Sequence, residues 1–129
     1  MRKLSLLVTA LLAATAGPAL QAETVTQVQN RYRADGAGPF HFDRGERLWN
    51  GRQYHERRCS DCHGADLKQP GRHRRTQKPI EPMAPSVAKN RYTDPARVEK
   101  WFLRNCKWTW GRECTAQEKG DLLEYLKRL

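Results

Sequence analysis

The apolar positions along the chain fall into four stretches of helical period, separated by runs that cannot continue a helix. Val25, Val28 and Tyr32 recur at helical spacing within residues 23–33, and the pattern stops at Ala34-Asp35-Gly36-Ala37-Gly38-Pro39. A second helix is predicted to begin near Asp43 and to carry Gly45, Leu48, Trp49 and Gln53. Glycine inside a helix costs about 1 kcal/mol relative to alanine, so Gly45 points to another helix crossing closely there. Thr93-Asp94-Pro95 opens a third helix, with Asp94 as N-cap and Pro95 at the first helical position. Val98, Trp101, Phe102, Asn105 and Cys106 then share one face of it. Thr115-Ala116-Gln117-Glu118 has the form of a capping box for a fourth helix, whose apolar face carries Leu122, Leu123, Tyr125, Leu126 and Leu129. Small Gly45 and large Trp49 are suited to meet Leu122 and Tyr125.

The stretch from Gly64 to Asp94 has prolines at 70, 79, 82 and 85 and no sustained apolar period, which predicts a long loop. A loop beyond about 15 residues in a compact domain needs a function or a surface to pack on. At the other end of the chain, Arg2 and Lys3 precede an apolar run from Leu4 to Ala16 and small residues near Ala19 and Ala22, the pattern of a secretory signal peptide. The run is too short for a spanning helix of about 20 residues, and nothing downstream approaches one. Cleavage after Ala22 would leave a single domain over residues 23–129, not embedded in a membrane and exported, in a bacterium to the periplasm.

Composition sharpens this picture. Loss of Arg2 and Lys3 lowers the formal net charge from +10 to +8, and a mature chain this short and polar buries little apolar area by itself. The basic excess gathers in Arg52, Arg57, Arg58, Lys68, Arg72, Arg74, Arg75 and Lys78. Export removes nucleic acid as a partner, and no stacking-platform pattern accompanies the cluster. Two readings stay open: a solvated charged face, and a patch that steers an acidic redox partner at a rate sensitive to salt.

The basic cluster surrounds Cys59-Ser60-Asp61-Cys62-His63, the one Cys-x-x-Cys-His in the chain. That spacing is the signature of covalent c-type haem attachment. Two thiols three residues apart can each add to one vinyl group of a porphyrin, and the adjoining imidazole, the commonest proximal ligand, then falls under the iron. Half of a zinc site and a redox dithiol are the alternatives that Cys-x-x-Cys alone leaves open. A porphyrin would supply the large apolar plate this small core lacks, so the apoprotein is expected to be largely unfolded and the holoprotein an all-α capsule around one haem c.

With Cys59 and Cys62 used by haem, Cys106 and Cys114 are predicted to form a disulfide in an oxidising compartment, a free reactive pair being the alternative. Asn105 lies on the apolar stripe, where an unpartnered amide costs about 1 to 3 kcal/mol. Backbone is the ordinary partner for such an amide, and the iron of a haem protein is another. Met83 and His73, both in the proline-rich loop, are further conceivable iron ligands; packing beside the porphyrin and solvation within Arg72-His73-Arg74-Arg75 are their structural alternatives.

The order of helix, Cys-x-x-Cys-His, proline-rich loop and terminal helix resembles class I cytochromes c. Ile80-Glu81-Pro82-Met83-Ala84-Pro85-Ser86, the run from Arg91 to Trp101, Arg104-Asn105-Cys106, Gly111-Arg112-Glu113-Cys114-Thr115 and Glu118 to Leu123 are more specific. They are similar to the sphaeroides haem protein (SHP) family of high-spin, oxygen-binding cytochromes c, over roughly residues 43–129. The resemblance implies the class I cytochrome c fold. It also implies His63 as proximal ligand, Asn105 as a distal ligand that leaves on reduction so that O2, NO or CO can bind, and a Cys106–Cys114 disulfide. Such proteins are associated with a dihaem cytochrome c and a membrane cytochrome b as electron donors, and with oxygen reduction or nitric oxide chemistry. The chain departs from the family pattern at Met83, where leucine is the family residue. A six-coordinate His63/Met83 electron carrier is therefore the second reading.

Overall fold

The computed structural model describes residues 18–129, so most of the expected signal peptide lies outside the described residues. Five helices carry the fold: α1 (Pro18–Ala34), α2 (Phe42–Asn50), the single turn α3 (Ser60–His63), α4 (Pro95–Trp110) and α5 (Ala116–Leu126). A 3₁₀ turn at Tyr54–Glu56 precedes α3. The sheet content is one pair of two-residue strands, β1 (Gly71–Arg72) and β2 (Pro79–Ile80). The fold is thus all-α.

The apolar period of α1 folds as it reads. Val25, Val28 and Tyr32 of α1 are buried and pack against Val98 of α4 and Leu123 of α5. The helix nevertheless already includes Pro18, the first described residue, five residues before the predicted Glu23. Gln21, 4 % exposed, reaches across the chain there and donates to the carbonyls of Ala88 (3.0 Å) and Arg91 (2.9 Å). The expected processing bond after Ala22 lies inside α1.

Helices α2 and α5 cross backbone against backbone. A Cβ at Gly45 would collide with the Asp121 carbonyl and lie 2.7 Å from Tyr125 Cβ, so only glycine lets the two backbones touch. Trp49 then packs with Leu122, Tyr125 and Leu126 as predicted. Asp121, 2 % exposed, fixes the crossing: its carboxylate accepts from the His41 amide at 2.7 Å and from Arg44 Nε at 2.9 Å. Gly45→Leu is expected to destabilise the protein by on the order of 3 kcal/mol, read as a fall in the urea midpoint, because overpacking here meets backbone rather than a movable side chain.

Helix ends follow the local code. The Asp94 carboxylate accepts from the amides of Ala96 and Arg97 with Pro95 in the first turn, and Gly111, at φ +68°, closes α4 in the left-handed region. Thr115 and Glu118 form the reciprocal capping box of α5, Glu118 Oε2 accepting from the Thr115 amide at 2.8 Å and Thr115 Oγ1 from the Glu118 amide at 3.2 Å. The Arg112 guanidinium, 2.7 Å away, holds the Glu118 carboxyl below its usual range, helped by the Thr115 amide. A lowered folded pKa means that this stabilisation is present above the unfolded carboxyl value and is lost as pH falls through the folded one. Glu118→Gln should cost about 1 kcal/mol at pH 7, with the gap to wild type closing in acid.

The segment from Gly64 to Asp94 is not wholly a loop. Its β1–β2 hairpin pairs Gly71 with Ile80 and Arg72 with Pro79. Two-residue strands are too short to leave a periodic trace, which is why composition alone read as loop. Beyond the hairpin the chain is pinned from both sides: Leu67 O accepts from the amides of Met83 and Ala84, both at 3.0 Å, and Arg91 donates to the carbonyls of Pro82 (3.0 Å) and Glu81 (2.7 Å).

Candidate haem site

The residues of Cys59-Ser60-Asp61-Cys62-His63 sit where the sequence needs them, on one turn of helix. Cys59 is the N-cap of α3, the amides of Cys62 and His63 donate back to its carbonyl at 3.3 Å, and Gly64 ends the turn at φ +79°. The Arg58 amide and side chain both bind Asp61, at 2.9 and 3.1 Å, which fixes the approach to the turn. Cys59 and Cys62 are free, half-buried thiols.

Their electrostatics separate the three chemistries left open by the spacing. Burial pushes the Cys59 thiol up to about 12, with a Thr109 hydrogen bond only partly offsetting it. Dithiol exchange uses the thiolate, which this environment opposes at Cys59. Among the described residues, no group of three or more His, Cys, Asp or Glu side chains is arranged to hold a metal ion. Burial, with a smaller contribution from the Arg91 charge, lowers His63 to about 4, so its imidazole is neutral at physiological pH. Neutral imidazole is the form that ligates iron. His63 Nδ1 is buried without a partner, and the Trp49 ring lies 5.2 Å away, centroid to centroid. A neutral histidine beside two half-buried thiols fits covalent haem: Cys59 and Cys62 would carry the porphyrin and His63 would hold its iron.

Helix α4 closes on this turn through residues the sequence did not single out. The Thr109 side chain, 2 % exposed, lies beside the Cys59 thiol and partly offsets the rise that burial gives it. Arg57, just before the motif, donates to the Trp108 carbonyl at 2.9 Å and stacks over the Trp108 ring at 4.6 Å. Tyr54 lies against Gly111, where a Cβ would stand 2.9 Å from its ring. These are contacts across about 50 residues of chain, and no local pattern announces them.

The buried stripe of α4 differs from the one predicted. Val98, Cys106 and Thr109 are buried and Phe102 half-buried, whereas Trp101, 46 % exposed, and Asn105 are outside it. Asn105 stands next to this line, four residues, about 6 Å of rise, before the Thr109 that lies beside Cys59. Its amide is exposed rather than packed among protein atoms. The disulfide forms as expected: Cys106 and Cys114 are bonded, with Cα atoms 5.6 Å apart, and join the end of α4 to the start of α5.

The other two candidates lie elsewhere. His73 is exposed in the hairpin loop, where its Nδ1 accepts from the Thr76 amide at 3.1 Å. Met83 is half-buried against the cluster of Trp49, Leu67, Leu122 and Tyr125. Its carbonyl accepts from Tyr92 OH at 2.9 Å, so both polar groups of its backbone are engaged.

An all-α fold closed on a Cys-x-x-Cys-His turn with a neutral histidine defines the monohaem cytochromes c. A family described as a domain of unknown function (DUF1924) matches residues 35–126. The chain is 44 % identical over 119 residues to the cytochrome c-type protein SHP of Cereibacter sphaeroides, covering 88 % of this chain and 92 % of that protein. It is 30 % identical over 115 residues to cytochrome c'' of Methylophilus methylotrophus, covering 89 % and 71 %. Among solved structures, oxidised SHP, an oxygen-binding cytochrome c, superposes with a TM-score of 0.72 at 39 % identity over 81 % of this chain and 96 % of that one. Oxidised cytochrome c'' superposes at 0.71 with 25 % identity over 85 % and 94 %. The chain belongs to the SHP-type cytochromes c and carries one covalently bound haem c.

Proposed function

We propose that Asn105 is a displaceable sixth ligand in an exported, periplasmic cytochrome c that accepts an electron from a redox partner and then takes a diatomic molecule, O2 or NO, in place of the amide. The observation that carries this reading is the Cys59–Thr109 contact, which docks α4 on the attachment turn with Asn105 one helical turn away and its amide free. SHP, a relative of known structure, is an oxygen-binding cytochrome c. Bound haem supplies a redox iron with His63 on one side. The chain supplies the rest. Asn105 offers a neutral amide oxygen, a weak-field donor held better by ferric than by ferrous iron. Once released, its N–H can donate a hydrogen bond to a polar diatomic ligand.

The Cys106–Cys114 disulfide beside Asn105 restrains how far that amide can move. Thiol labelling of the unfolded, unreduced protein, made in an exporting host, should find neither cysteine free; two labelled thiols would refute the bridge. Reducing it should loosen the end of α4 and speed ligand entry, measured by flash photolysis of the CO complex.

The second reading, a His63/Met83 electron carrier, asks Met83 to leave the Trp49 cluster or to drag a segment held by Leu67, Arg91 and Tyr92. Absorption spectra of the ferric and dithionite-reduced holoprotein decide between the two. A high-spin ferric spectrum and a five-coordinate ferrous one are expected. A low-spin ferric spectrum with a sulfur-to-iron charge-transfer band would establish the carrier instead.

A further inference from the structure

The β1–β2 hairpin grows out of the haem-attachment turn itself. A Cβ on Gly71 would collide with the Cys62 carbonyl and lie 2.7 Å from His63 Cα, so β1 rests directly on the backbone of α3. The loop beyond is braced rather than loose. The His73 amide donates to Lys78 O and the Gln77 amide to His73 O, both at 2.8 Å, while the Gln77 side chain donates to Arg74 O at 2.7 Å and Arg72 to Gln77 O at 3.0 Å. From this small frame Arg72, Arg74, Arg75 and Lys78 point to solvent, with Lys68 at its foot and no acidic residue between Leu67 and Ile80. One neighbouring carboxylate, Asp61, is shared between Arg58 at 3.1 Å and Arg74 at 3.7 Å, which leaves the positive charge largely uncompensated.

We propose that this hairpin is a cationic docking finger for an acidic electron-transfer protein, which it seats beside the Cys62 edge of the haem. The proposal rests on the reading that the protein accepts electrons. Charge complementarity selects the partner. A rigid cluster of like charges is relieved by a surface rich in Asp and Glu, and the field it projects raises the encounter rate of such a surface with the haem edge. Residues 64–91 contain no Phe, Tyr or Trp, and one imidazole, His73, does not make the run of stacking side chains of a single-strand nucleic-acid site. Its loop, residues 73–78, holds no apolar side chain to insert into a bilayer.

The test is stopped-flow reduction of the ferric holoprotein by reduced flavodoxin, a strongly acidic one-electron donor. The wild-type second-order rate should fall by about tenfold as ionic strength rises from roughly 10 to 200 mM. Arg74→Glu with Arg75→Glu should lower the low-salt rate by at least about tenfold and flatten its salt dependence. Arg31→Glu with Arg47→Glu, an equal charge change on exposed helix positions, should do much less. Equal rates for the hairpin variant and wild type, or equal losses in both double variants, would overturn the finger. So would salt-sensitive binding of wild type, but not of the hairpin variant, to vesicles of equal parts phosphatidylcholine and phosphatidylglycerol when the flavodoxin rates are unchanged. A haem that even dithionite leaves oxidised removes the electron-accepting reading, and the finger with it.

Discussion

Replacing Cys59 and Cys62 together with alanine is expected to abolish covalent haem and to unfold most of the domain. The apolar residues buried among protein atoms form two modest clusters, one around Val28 and Leu123 and one around Trp49 and Tyr125. Cys59, Met83, Tyr92 and Phe102 border the second only in part. A domain of this size sits near the lower limit of what a hydrophobic core can hold, and the porphyrin is the largest apolar body it can close around. Acid-acetone extraction should strip any residual haem from the double variant, and circular dichroism should show most helix lost. Haem that stays with the denatured variant would refute the attachment. His63→Ala should behave differently, retaining haem through the thiols while its spectrum changes.

Asn105→Ala carries the second large effect. The ferric spectrum should shift because the weak-field amide is gone, and the dioxygen complex of the reduced protein should be shorter-lived by about tenfold, the loss of one hydrogen bond of roughly 1.5 kcal/mol. Met83→Leu, which keeps the volume that packs against Trp49 and Leu122, should change neither. An Asn105→Ala protein with wild-type spectra and ligand lifetimes would remove Asn105 from the iron. A charge-transfer band lost only in Met83→Leu would put the thioether there.

Much of this was legible from residue order because the signals are local. A haem-attachment turn needs its two thiols and its imidazole within five residues, and such a pentapeptide is complete in the sequence. Helix caps are also local: Asp94 with Pro95, and Thr115 with Glu118, state their hydrogen bonds in their spacing. Gly45 was readable as a crossing for a related reason, since a residue that weakens its own helix must be compensated by something that touches it.

Tertiary structure decided what depends on residues far apart in the chain. The face of α4 that is buried was set by docking: contacts from α1 and α5 and the approach of Thr109 to Cys59 select Val98, Cys106 and Thr109, and leave Trp101 and Asn105 beside them. Helical period alone gives a stripe wide enough to include all of these. Arg57 on Trp108, Leu67 beneath Met83 and Arg91 on the 81–82 carbonyls likewise have no sequence signature, because a donor and the acceptor it will find are joined only when the chain closes. The sequence by itself determined the cofactor, whose signature is written in five consecutive residues. Where α4 lies against the Cys-x-x-Cys-His turn was left to the fold, since this is a packing outcome summed over many weak, non-local contacts.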